Sequence, residues 1–157
     1  MINSIITELE TIANAFTSVQ SFIYNRPSAV NWKIRTKGYP CILVDSQTDF
    51  DPNGTNSKNL IKKNTYTLRV FAYDEYQITE QNEITQQAKQ QELQNILDQY
   101  IAEIRRRAIA TPSNGFIVTN ITNGFHAFPV HNDKLMQVVL TLSIEADSHC
   151  TIGTFNY

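Results

Sequence analysis

Residues 136–146 read MQVVLTLSIEA. Met136, Val138, Leu140, Leu142 and Ile144 fall at every second position, with Gln137, Thr141, Ser143 and Glu145 between them. A period of two puts alternate side chains on opposite faces, which is the geometry of a strand and not of a helix. One such strand commits the chain to a sheet. Its backbone needs lateral partners, and its apolar face needs a second layer to cover it.

Partners are identifiable by the same pattern. Residues 62–73, KKNTYTLRVFAY, alternate Tyr66, Leu68, Val70 and Ala72 against Thr65, Thr67, Arg69, Phe71 and Tyr73. Residues 116–122, FIVTNIT, alternate Ile117, Thr119 and Ile121 against Phe116, Val118 and Asn120. The run YPCILVDS at 39–46 holds five apolar residues in a row bounded by turn formers, as expected of a short, well-buried strand.

The covering layer comes from two helical patterns. Ile2, Ile5, Ile6, Leu9, Ile12, Ala13, Phe16 and Val19 recur at three- and four-residue steps, with Asn3 or Ser4 as cap and Arg26-Pro27 as the stop. From Thr79 onward, Ile84, Ala88, Leu93, Ile96, Leu97, Tyr100, Ile101, Ile104 and Ala108 form a second stripe that Thr111-Pro112 closes. Arg105, Arg106 and Arg107 stand in its last turns, where cations complement the helix dipole. The expectation is an α+β fold in the order α-β-β-α-β-β. A mostly antiparallel sheet of about four strands carries two long amphipathic helices, in a single domain over residues 1–150 with a short tail at 151–157.

Composition narrows the function classes. With 13 Lys and Arg against 15 Asp and Glu, the formal charge is -2. That balance does not suit a protein that neutralises many phosphates. Apolar runs fall short of a bilayer span. Glu8 and Glu10 interrupt the N-terminal segment where a signal peptide needs an apolar core, so a cytoplasmic site of synthesis is expected. Cys41 and Cys150 form no CxxC pair, and Cys41 reads as a small buried hydrophobe.

In DFDPNG, Asp49, Asp51, Asn53 and Gly54 match the first, third, fifth and sixth positions of a calcium loop, but the twelfth position is Leu60 where the template needs a bidentate Glu. The stretch therefore reads as turn chemistry at a loop tip. His126, His131 and Asp133, and His149 with Asp147 and Cys150, lack zinc-site spacing. There is no GxSxG elbow, no Cys-His signature and no phosphate-cradling glycine loop. Lys33, Arg35, Lys37, Lys58, Lys62 and Lys63 read as a solvated face, with a rim that meets an acidic partner as the alternative. No catalytic residue, metal or cofactor is expected, and the chain is read as a non-enzyme. A small hydrolase or metal enzyme built on His126, His131 and Asp133 is one rival reading.

The order and texture of these segments resemble the tail-terminator, tail-completion and neck proteins (head–tail connector rings) of tailed bacteriophages. An N-terminal amphipathic helix precedes YPCILVDS, followed by a polar loop and NTYTLRVFAYDEY. The Gln/Glu-rich helix QQAKQQELQNILDQYIAEI and the closing DKLMQVVLTLSIEADSHC complete the likeness over residues 1–150. Members often carry a Gly or Trp entering the last strand, where this chain has Leu135, Met136 and Gln137.

The resemblance implies a structural virion protein, made in the host bacterial cytoplasm and located in the neck or tail. It would be a homo-oligomeric ring of six copies, or twelve, contacting other neck or tail proteins. DNA would pass through without specific binding, and no membrane is involved. Candidate interface residues on that reading are the aromatics Trp32, Phe50, Phe71, Tyr73, Tyr76, Phe125, Phe128, Phe155 and Tyr157. A non-viral α+β protein-binding or adaptor module without catalytic activity is the alternative.

Overall fold

A computed structural model describes residues 2–31, 38–53, 62–75, 83–110, 116–130 and 135–148. The expected pair of helices is present. Helix α1 spans Ile2–Ala15 and α2 spans Glu83–Ala110. The strands are β1 (Ser21–Tyr24), β2 (Cys41–Val44), β3 (Asp49–Asn53), β4 (Lys62–Glu75), β5 (Phe116–Val130) and β6 (Leu135–Ser148).

These six strands form one mixed sheet in the order β1-β2-β4-β6-β5, with β3 also paired to β4. The fold class is α+β as expected, but the sheet has more strands than the four anticipated, and the pairing of β1 with β2 is parallel. Both additional strands have a physical explanation. Helix α1 stops at Ala15, well before Arg26-Pro27, and a turn closed by Phe16 N–H to Ala13 O and Val19 N–H to Phe16 O follows. The next residues, SFIY, are aromatic and β-branched types that fit a pleated surface better than a helix. The Ser21 hydroxyl donates to the Gly38 carbonyl at 2.6 Å, and Gln20 N–H donates to Pro40 O at 2.8 Å, fastening β1 beside β2.

Strand β3 corrects the reading of DFDPNG as a loop tip. Asp49 through Asn53 pair antiparallel with Thr67 through Lys63 of β4. Pro52 is tolerated because, among the described residues, β3 pairs with β4 alone and leaves its other side free of the ladder. Gly54 and Leu60 lie outside the described residues.

Strands β2 and β3 lie end to end along the same side of β4, and Asp45 stands at the break. Val44 is opposite Val70 and Asp49 opposite Thr67, so residues 45–48 face only Leu68 and Arg69. Asp45 is 1% exposed, yet its N–H and both carboxylate oxygens have partners. Its N–H donates to Arg69 O at 3.0 Å, one carboxylate oxygen accepts Gln47 N–H at 2.9 Å, and the other takes the Arg69 guanidinium. The side chain of Arg69, 52% exposed, also lies over the Phe71 ring at 5.8 Å.

The sheet buries both faces in its central part. Against one face pack Leu9 and Ile12 of α1 and Leu93, Leu97 and Ile104 of α2, over Leu68, Val70 and Ala72 of β4 and Met136, Val138, Leu142 and Ile144 of β6. The Tyr100 hydroxyl donates to Leu9 O at 2.8 Å and joins the two helices inside this layer. The opposite face holds a smaller cluster of Cys41, Leu43, Phe71, Tyr73, Leu135 and Val139, covered by Ile23, Val30 and Tyr39. The phase of α2 differs from expectation at its start: Ala88 is exposed, whereas Gln86 and Gln90 are buried. At its far end Glu103 accepts hydrogen bonds from Arg106 and Arg107, and Arg107 also reaches Glu8 of α1 at 3.3 Å.

Two predictions arise from these contacts. Arg69→Ala should destabilise more than Asp45→Ala, by about 3–5 against about 2 kcal/mol, because it leaves a buried carboxylate uncompensated, whereas the arginine can turn to water. Urea unfolding of both variants checks the order. The hydrogen bonds from Arg106 and Arg107 hold the Glu103 carboxyl down, from its usual 4.5 to about 2. Its contribution is complete above pH 4.5 and is lost as pH falls towards 2. Glu103→Gln should therefore lower stability at neutral pH and flatten the acid limb of the stability curve in that window.

Candidate assembly surfaces

An open sheet has two lateral edges, and here they are built differently. Strand β1 and, further along, β3 form one edge, and β5 forms the other. The β5 ladder against β6 is interrupted between Val118 and Asn120, between Thr122 and Phe125, and between Ala127 and Val130. Each interruption inserts a residue that has no opposite number and bends the edge. A long edge strand broken in this way is a poor template for pairing with another strand.

The bulge after Val118 also overturns a face assignment. Simple alternation puts Ile117 with Ile121 and Phe116 with Val118 and Asn120. In the structure Phe116, Val118 and Ile121 pack towards the helix-covered core, because the extra residue reverses the phase. Ile117 is left 49% exposed on the other face, opposite Glu145. Around it lies a half-exposed face of Thr65, Thr67, Thr141 and Ser143, with the Thr119 hydroxyl donating to Ser143 O at 3.3 Å.

The aromatic residues expected at interfaces separate into distinct groups. Phe50 is 62% exposed on β3, with its ring 6.3 Å from that of Tyr66. Phe71 and Tyr73 are buried and stacked, ring centroids 5.8 Å apart, so both belong to the smaller core and offer no free surface. Burial is the main cause pushing the Tyr73 hydroxyl well above the usual tyrosine range, which keeps it neutral. Phe125 and Phe128 lie in β5, Phe125 opposite Val139. Trp32, Tyr76, Phe155 and Tyr157 lie outside the described residues, as do His131, Asp133 and His149. Tyr24, 41% exposed at the end of β1, was missed because its segment continues the apolar spacing of α1.

Between α2 and the β5 edge runs a groove of about 370 Å³, lined by Gln94, Asp98, Gly124, His126, Val138 and Leu140. Val138 and Leu140 make an apolar floor. A Cβ on Gly124 would stand 2.8 Å from Leu140 Cδ2, so the glycine lets this leucine lie close to β5. At the rim, His126 Nε2 and Gln94 Oε1 are 2.8 Å apart in a hydrogen bond that fastens β5 to α2. Asp98 is exposed and makes no hydrogen bond or ion pair among the described residues. These residues come as three close pairs from α2, β5 and β6, and no spacing motif links one pair to the next.

Among the described residues no group of three or more His, Cys, Asp or Glu could hold a metal ion, and no helix is long and apolar enough to cross a membrane. No protein-family model matches the chain, and no curated protein sequence matches it.

The exposure pattern generates a direct test. Tyr24→Ser and Phe50→Ser should cost no more than about 1 kcal/mol, the scale of one cross-strand aromatic pair. Tyr73→Ala should cost about 3–5 kcal/mol, measured by denaturant unfolding.

Proposed function

We propose that this chain is a structural virion protein of a tailed bacteriophage, a ring subunit at the neck or tail that terminates the tail tube or joins it to the head–tail connector. The identity of the particle rests on the sequence resemblance. The single structural observation that carries the assembly role is the asymmetry of the two sheet edges. One edge presents exposed aromatics, Tyr24 and Phe50, and the other a bulged strand beside a polar-rimmed groove. Unlike edges on opposite sides of one subunit suit heterologous contacts, which close into a ring when the rotation between neighbours divides a full turn.

Other features agree with a scaffold role. Hydroxyl-bearing side chains on the face away from the helices can meet neighbouring proteins or a water-filled lumen without strong preference. A net charge of -2 suits a passage through which DNA must move without being gripped. Nothing in this reading requires a reaction, a metal or a cofactor.

Two experiments test it. Antibody labelling of intact particles should place the protein at the head–tail junction or the head-proximal end of the tail, and its exclusion from the particle would refute the reading in favour of a soluble adaptor. Deleting residues 151–157, which carry Phe155 and Tyr157 outside the described core, should leave the unfolding midpoint unchanged and weaken assembly. A truncated chain that forms the parent oligomer would remove the tail from the interface.

A further inference from the structure

The register of the sheet relates its two edges more closely than their composition alone suggests. Tyr24 is opposite Val44, Val44 opposite Val70, and Val70 opposite Leu140. Phe22, Ile42, Ala72 and Val138 form the adjacent row but one. The floor of the groove, Val138 and Leu140, therefore stands in the same two transverse rows as the outward end of β1. Both sites also face the helix-bearing side, since Val44, Val70, Val138 and Leu140 pack into the core beneath the helices. A neighbour displaced sideways across the strands would bring its β1 end level with the groove, on the correct face.

The chemistry of the two sites is complementary. Just past Tyr24, Arg26 is exposed and makes no ion pair among the described residues. Its backbone is extended (φ -69°, ψ 135°), pinned by Pro27 on one side and by a hydrogen bond from its own N–H to Asn25 Oδ1 at 2.8 Å on the other. Opposite it, the groove offers an unpaired carboxylate at Asp98 over an apolar floor. A guanidinium on a three-carbon stem fits such a site, its stem along the floor and its head on the carboxylate. Arg106 and Arg107 are already engaged with Glu103 and Glu8. Because bulges disfavour strand addition at β5, contact through side chains is the available mode at this edge.

We propose that copies of this chain join head to tail, with the Tyr24–Arg26 end of β1 in one copy seated in the groove between α2 and β5 of the next, and Arg26 paired with Asp98. This rests on the ring reading and names its contact. The pair acts as an anchor that sets the register between subunits inside a larger interface.

The test is a charge exchange in the full-length protein, read by sedimentation velocity. Arg26→Asp and Asp98→Arg each place like charges across the contact, and each should raise the apparent dissociation constant of the assembly at least about tenfold. The double variant should recover most of the parent affinity. Unchanged circular dichroism of the single variants separates this from misfolding, since both residues are exposed. Single variants that assemble like the parent, or a double variant no better than the singles, would overturn the contact while leaving the ring intact. The exposed Arg105 lies two helical turns from Asp98 on the same side of α2. If Arg105→Asp disrupts assembly and Arg26→Asp does not, α2 meets a two-fold-related α2 instead, and the proposal fails. A parent protein that never assembles would refute the ring and this contact together.

Discussion

Strand β4 is satisfied on four sides. Along one edge it carries β2 and β3 in succession, along the other β6 for its whole length, and through its central residues one face packs beneath the helices and the other in the smaller cluster. Leu68, Val70 and Ala72 point into the first layer, and Phe71 and Tyr73 into the second. A shift of one residue would exchange these sets and put Arg69 under the helices, so the register of β4 fixes that of the whole sheet.

Asp45 and Arg69 are the device by which two short strands share one side of β4. A chain that leaves the ladder and rejoins it exposes backbone groups at the gap, and in a buried position those must be paired. The Asp45 carboxylate supplies one acceptor to its own turn and one to Arg69, whose guanidinium can sit on the open side of the sheet. Beyond that gap the smaller cluster ends and the hydroxyl-bearing face begins. The same break thus divides the second face into a covered half and an open half, and it projects β3 with Phe50 towards the surface.

The elements most legible in the sequence are those whose neighbours agree with local pattern. In β6, alternation coincides with one face under the helices; in α2, Leu93, Leu97, Tyr100 and Ile104 repeat on a stripe that is in fact buried. Cys41 to Val44, apolar at every position, are buried at every position. Local pattern failed where a long-range partner decided the outcome. DFDPN has the composition of a turn, and only the row Thr67 to Lys63 makes it a strand. SFIY continues the spacing of α1 until Cys41 to Val44 provide a parallel partner. The bulge that turns Ile117 outward leaves no trace in residue types, and the groove joins Gln94 to His126 across distinct elements.

The ring proposed for this chain would close through its unlike sheet edges. Light scattering on the purified full-length protein, over a range of concentrations and salt levels, measures the mass of what it forms. The account predicts a discrete species of about six or twelve copies, as closure by rotation requires. A single copy at every concentration, or a mass that grows without limit, would contradict it.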